Sequence, residues 1–185
     1  MPRSLALGDF NEDGRVDVVV HTGGANFILR LGDGNGGLAL LAATPPACQV
    51  SSYAVVGDVN EDGHLDLALS NSGVISIFRG TGLGTFAPRL DFPAAALTAH
   101  VVLADFNEDG HLDLAATYAS DPNGISVWRG QGDGTFVGRS DVLDIWGIPN
   151  ALVATDVNED GHLDLVCTDM MTSGRLHIFP GLGNG

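Results

Sequence analysis

Nine residues, DFNEDGRVD at 9–17, return as DVNEDGHLD at 58–66, DFNEDGHLD at 105–113 and DVNEDGHLD at 156–164. Their first aspartates are spaced by 49, 47 and 51 residues. A nearly constant period of this length confines the chain to repeat architectures, in which one supersecondary unit buries its apolar side chains against the next.

Within the nine positions, Asp stands at 1, 5 and 9, Asn at 3, Glu at 4 and Gly at 6. Carboxylates and an amide on alternate residues converge when the chain wraps round a point. Hard oxygen ligands of this kind suit Ca²⁺, which takes six to eight oxygens at about 2.3–2.6 Å. The candidate ligands are Asp9, Asn11, Asp13 and Asp17, then Asp58, Asn60, Asp62 and Asp66. In the third copy they are Asp105, Asn107, Asp109 and Asp113, and in the fourth Asp156, Asn158, Asp160 and Asp164. Position 7 is Arg15, His64, His111 or His162. Its side chain varies, so only its backbone carbonyl is expected in the site. Gly14, Gly63, Gly110 and Gly161 fall where the wrap turns sharply. Glu12, Glu61, Glu108 and Glu159, at position 4, are expected to face solvent.

The same pattern opens an EF-hand loop, but position 12 holds Val20, Leu69, Ala116 or Cys167 where an EF-hand needs a bidentate Glu. The flanks alternate or run apolar like strands. The expectation is about four Ca²⁺, one per repeat, each in a loop joining two β-strands, with Asp at position 9 replacing the distant Glu. Mg²⁺ prefers fewer carboxylates and more retained water. The plainer alternative is four hairpin turns that bind no metal. All five key positions are filled in all four copies, which weighs against it.

Each repeat holds the same parts. An apolar strand (5–8, 53–57, 101–104, 151–155) leads into the loop, and a second strand leaves it (16–20, 65–69, 112–116, 163–167). A polar turn and a third strand follow, reading NFILRL, VISIFR, ISVWR or RLHIF. A glycine-punctuated turn comes next, and a fourth strand is expected to open at Leu38, Phe86 or Phe136. The last repeat lacks a fourth strand. Four short strands per repeat predict an all-β chain built as a β-propeller of four-stranded antiparallel blades, with repeats 1–50, 51–97, 98–148 and 149–185. Parallel β-helices repeat with shorter periods.

The formal charge is −15, and of 23 acidic residues 12 Asp and 4 Glu lie inside the four loops. Four Ca²⁺ would bring −15 to about −7, so most of the charge is ligand charge. There is no lysine and the eight arginines are scattered. A nucleic-acid partner needs a clustered basic face, so that class is set aside. No signal peptide, transmembrane run or lipidation motif is visible, and membrane insertion is not expected. Cys167 aligns with small apolar residues and reads as buried. Cys48 lies in a linker, and a bridge between the two is not expected.

The DxNxDGxxD loop, together with a third strand running into GxGxGxF (IFRGTGLGTF, VWRGQGDGTF), resembles the FG-GAP/VCBS repeat of integrin α-subunit heads and propeller lectins. The likeness covers nearly the whole chain. It implies Ca²⁺ between the first two strands of each blade and a ring of about seven blades. Four repeats would then be half a ring. A small four-bladed ring, a longer parent chain and a two-chain ring all follow as alternatives. A homodimer is favoured because it would bury open blade faces. Repeat 1 departs from the others: Arg30 stands where Phe78, Trp128 and Phe179 stand, and Leu38 replaces a Phe.

Trp146 interrupts the pattern in the longest linker, near Asp144 and Asn150, and could stack on a sugar. A loop anchor packed on the surface is the plainer reading. Tyr53 and His100 align at the start of the first strand and could line a ligand groove, or serve as ordinary entrance residues. Trp128 reads as core, and His21 and His177 as structural. No nucleophile–base arrangement stands out. Outside the loops, Asp91, Asp121, Asp141, Asp144 and Asp169 could in principle form a glycosidase pair, but nothing in the sequence places two of them together. The expected function is a non-catalytic, calcium-binding adhesion or recognition module, extracellular or at the cell surface, with a glycan or protein ligand. An excised or engineered unit for structural self-assembly is the alternative, and a polysaccharide-acting enzyme comes last.

Overall fold

A computed structural model describes residues 4–21, 27–40, 51–71, 73–94, 98–120, 122–143, 145, 147–170 and 174–185. Among these the regular structure is all β, and no helix is long and apolar enough to cross a membrane. The strands form four separate antiparallel meanders. Blade 1 is β1 (Ser4–Gly8), β2 (Asp17–His21), β3 (Phe27–Gly32) and β4 (Leu38–Leu40). Blade 2 is β5 (Ser51–Gly57), β6 (Asp66–Asn71), β7 (Val74–Phe78) and β8 (Leu90–Pro93). Blade 3 is β9 (Thr98–Ala104), β10 (Asp113–Tyr118), β11 (Gly124–Gly130) and β12 (Phe136–Leu143). Blade 4 has three strands, β13 (Pro149–Thr155), β14 (Asp164–Asp169) and β15 (Leu176–Phe179).

Each second strand begins on the Asp at position 9, which pairs with the last residue of the first strand: Gly8 with Asp17, Gly57 with Asp66, Ala104 with Asp113, Thr155 with Asp164. The expected fourth strand at Phe86 is shorter than the sequence implied. Phe86 makes an isolated bridge to Gly80, and the ladder resumes only at Leu90. Pro88 lies in the gap and has no N–H to give to a ladder.

The blades pack face to face, and both faces of an inner blade are apolar. From β6, Leu67 and Leu69 face blade 1 while Ala68 faces blade 3. The first joint is closed by Phe27, Phe78 and Phe86 in edge-to-face contact, with ring centroids 5.0 to 6.4 Å apart. Trp128 is buried between blades 2 and 3, and Cys167 between blades 3 and 4. Each such large side chain removed from water contributes about 1.5–3 kcal/mol. Side by side, β1 packs on β5, β5 on β9 and β9 on β13. β13 and β1 share no comparable packing among the described residues. The four blades therefore form a propeller-like stack with one uncovered face at each end.

Arg30 lies on the uncovered face of blade 1, opposite Val18 on β2. Its counterparts Phe78, Trp128 and Phe179 all point toward a preceding blade. The exception in repeat 1 thus falls on a face that no other described blade covers.

Candidate metal centres

The four loops share one hydrogen-bonded frame. The carboxylate at position 1 spans the turn: Asp9 accepts from the Asp13 and Gly14 amides at 3.1 and 2.7 Å. Asp58, Asp105 and Asp156 accept from the same two positions of their own loops. The position-3 side-chain amide donates to the position-5 carboxylate in copies one, two and four, as Asn60 does to Asp62 at 2.8 Å. The position-5 carboxylate then accepts the position-7 N–H at 2.9 to 3.0 Å in every copy. Gly at position 6 stands at φ +82° to +92°, which a side chain tolerates poorly. Glu at position 4 is also left-handed, at φ 57° to 62° in all four copies. That conformation is uncommon for a residue with a Cβ, and nothing in the sequence announced it.

The Asp at position 9 has a structural task. Asp17, Asp66, Asp113 and Asp164 are 0–1 % exposed. One oxygen accepts the position-2 N–H, from Phe10, Val59, Phe106 or Val157, at 2.9 to 3.0 Å. The other accepts the N–H of the glycine at the exit of the third strand, Gly32, Gly80, Gly130 or Gly181, at 2.7 to 2.9 Å. These glycines are obligatory, because a Cβ there would stand 2.1 to 2.2 Å from a backbone oxygen of the second-strand entry. Each position-9 carboxylate therefore ties the loop to the far end of its blade and still keeps a second lone pair on each oxygen.

Among the described residues, no three His, Cys, Asp or Glu side chains close round a single point. The carboxylates at positions 1 and 9 are turned onto backbone amides instead. One atom is left over. Asn60 Oδ1 is buried and has no hydrogen-bond partner, whereas the same oxygen in the other copies accepts the position-5 amide at 2.9 to 3.2 Å.

The electrostatics follow from this frame. The His111 and His162 amides hold the Asp109 and Asp160 carboxyls below their ordinary range. At Asp62 burial opposes the shift, but the His64 amide and Asn60 side chain prevail and the value is lowered. Burial raises Asp66 and Asp113.

The side chains at positions 4 and 7 do something the sequence did not suggest. Glu12, Glu61 and Glu108 do not simply face solvent. Each carboxylate bonds the Nδ1 of the position-7 histidine one blade further on: His64, His111 and His162 respectively. The carboxylates hold all three imidazoles above the ordinary histidine value. The position-7 side chain thus ties blade to blade, leaving only its carbonyl for the loop. Arg15, in the first copy, pairs with Asp13 of its own loop at 3.7 Å and lies near enough to Asp33 to help lower its carboxyl.

The other candidates divide. Trp146 and Asp144 lie outside the described residues, as do Cys48 and Asp121. Asn150 is exposed on β13. Tyr53 and His100 are brought together, with ring centroids 3.5 Å apart. They stand in an open cleft of about 460 Å³ lined by all four first strands. Burial lowers the His100 pKa to about 4, and its Nδ1 has no partner. Of the acids considered as a glycosidase pair, the three described ones sit in separate blades, each with its own partners. Asp91 bonds Ser76 and Arg89, Asp141 bonds Ser126 and Arg139, and Asp169 bonds His177.

A model of the FG-GAP-like repeat matches residues 9–69, 58–116 and 109–167. Among curated proteins no sequence matches. Solved structures do share the fold. An Agrocybe aegerita lectin that recognises non-reducing terminal N-acetylglucosamine is 20 % identical with a TM-score of 0.63, over 96 % of this chain and 49 % of the lectin chain. A chain of the Photorhabdus luminescens Tc holotoxin pore is 20 % identical with a TM-score of 0.57, over 96 % of this chain and 9 % of that one. The V. cholerae biofilm matrix protein Bap1 is 18 % identical with a TM-score of 0.49, over 93 % of this chain and 29 % of Bap1. The chain therefore spans half or less of each of these structures.

Proposed function

The chain belongs to the FG-GAP-like repeat family, and from that premise we propose that it is a calcium-binding, non-catalytic recognition module. Its ligand is a glycan or protein met outside the cell or at its surface. The observation that carries the metal reading is Asn60 Oδ1, an acceptor buried in its loop with nothing to accept from. Burying such an atom unpaired is costly, and a cation restores its partner. The donors that its loop offers are all oxygen: the carboxylates of Asp58, Asp62 and Asp66, and the His64 carbonyl. That set suits Ca²⁺. The other three loops share its frame. Bound calcium would offset the mutual repulsion of three carboxylates in each loop and so hold the hairpin closed.

The ligand surface proposed is the first-strand cleft, where the Tyr53 and His100 rings offer an aromatic platform. Calorimetric titration of chelated protein with Ca²⁺ tests the metal, with about four sites expected. A glycan array in calcium, repeated with Tyr53→Ala, tests the surface. No heat on calcium addition would sink the first half. An array that stays empty, or a hit indifferent to Tyr53, would sink the second.

A further inference from the structure

The two uncovered ends of the blade stack carry the two halves of one more blade joint. Each interior joint is built from the same contacts. The position-2 side chain is buried against the next blade: Phe10, Val59 and Phe106 are 3 %, 3 % and 8 % exposed. Val157, at this position in blade 4, is 45 % exposed. The position-2 carbonyl accepts from the glycine turn of the next blade, Gly84 to Phe10 at 2.8 Å and Gly134 to Val59 at 3.0 Å. Those glycines lie against the preceding loop, with a would-be Cβ 3.5 Å from Asn11 or 3.4 Å from Asn60. Gly36, their counterpart in blade 1, has the same left-handed backbone and nothing within 4 Å.

The apolar faces repeat the pattern. On blade 4, Val153, Leu176 and Ile178 are 54 %, 61 % and 49 % exposed, where Ala6, Ile75 and Ile77 are 7 %, 1 % and 0 %. On blade 1, Leu5, Leu7 and Val16 are 63 %, 62 % and 62 % exposed. Leu65, which takes the place of Val16 in blade 2, seats itself under Gly8 of the blade before. The charges complete the match. Glu159 has no cation among the described residues, and Arg15 occupies the histidine's place at the opposite end.

We propose that a second copy of this chain supplies the missing joint. Blade 4 of each copy packs on blade 1 of the other, and Glu159 of one copy pairs with Arg15 of its partner. Two head-to-tail joints close a ring of eight blades. Arg15 gives up little to do so, because its present pair with Asp13 is half-exposed and long. The joint rests on the blade faces and not on the metal reading, so the two fail separately.

The test is sedimentation of the chain in calcium, as wild type, Glu159→Arg and Arg15→Glu, then as a mixture of the two variants. The wild type is expected to run as two chains. Each variant places like charges at both joints and is expected to weaken association by about tenfold or more. The mixture restores an opposite-charge pair at both joints and is expected to regain the two-chain mass, which a misfolded variant could not do. A wild type that stays a single chain, or assembles beyond two, overturns the proposal. So does a dimer indifferent to both reversals, or a mixture that does not reassociate.

Discussion

The Nδ1 of His64 bonds the Glu12 carboxylate across the first blade joint, although 52 residues separate them. The same bond recurs as Glu61–His111 and Glu108–His162. Glu159 has the same left-handed backbone without such a partner among the described residues. The strain at position 4 therefore belongs to the loop turn and not to the ion pair. The carboxylate uses a conformation that the loop already imposes.

Reversing one of these interior charges tests the tie. Glu61→Lys sets an ammonium against the His111 ring. Both groups are substantially exposed, so the pair contributes little on its own. The expected outcome is a fall of no more than a few degrees in the melting temperature, with the secondary structure retained. A large fall measured by circular dichroism would mean that the joints depend on charge more than on their buried apolar faces.

A single loop ligand tests the metal sites one at a time. Asp62→Ala removes one carboxylate from the second loop and leaves three loops with a full donor set. Calorimetry should then count about three calcium ions where the parent binds about four. Chelator should lower the melting temperature of both proteins. A ligand held only by the folded state stabilises it by about 2.7 kcal/mol per site at one hundred times its dissociation constant. A melt indifferent to chelator would show that the loops are ordinary turns.

The four strand-loop-strand hairpins were legible because the repeat puts the same residues at the same places four times. The blade joints were only half legible. Their apolar halves show in the continuous apolar runs of β6 and β10. Their polar halves pair Glu12 with His64 over a separation at which no local rule operates. One trace was present: position 7 is His in the second, third and fourth copies and Arg in the first. Arg30 in place of an aromatic reports the same end of the stack. The position-9 aspartates were read as ligands alone, and their second role needed the third strand's exit glycine to be placed beside them. Phe86 was read as a strand opening, where the Ala-Pro step that follows allows only one bridge.

Asp113 gives the largest expected stability change. Its two oxygens satisfy the Phe106 and Gly130 amides at 3.0 and 2.8 Å in a buried site. Asp113→Ala leaves both donors unpaired, at about 1–3 kcal/mol each. Asp113→Asn keeps one acceptor and turns an N–H toward the other amide, so it should fall between. Urea unfolding of the three proteins in chelator separates this effect from metal binding. Equal stability of the alanine and asparagine variants would contradict the assigned hydrogen bonds.

His100 predicts a defined pH dependence. Its folded pKa is lowered to about 4 by burial against the Tyr53 ring, whereas an unfolded histidine titrates near 6.5. Between these values the unfolded chain binds a proton that the folded chain refuses, so stability falls as the pH drops from about 6.5 toward 4. Above that window the residue contributes no slope. His100→Phe should flatten this part of the profile relative to wild type. Parallel profiles from pH 4 to 7 would show that the imidazole is solvated in the folded protein.

Cys167 offers a reporter for the last joint. Its thiol is fully buried between blades 3 and 4, beside Ile125, Val127 and Leu152. Burial pushes its pKa up to about 11, so almost no thiolate is present at neutral pH, and thiolate is the reactive species. In a Cys48→Ser background, iodoacetamide should leave Cys167 unmodified while the blades are packed. Chelating calcium should open the fourth loop, loosen β14 and raise the labelling rate, because exchange-like reactions follow the population of open states. Fast labelling in calcium would show that blade 4 leaves the stack on its own. Slow labelling in chelator, on a protein shown to be metal-free, would show that the apolar joint holds blade 4 without the ion.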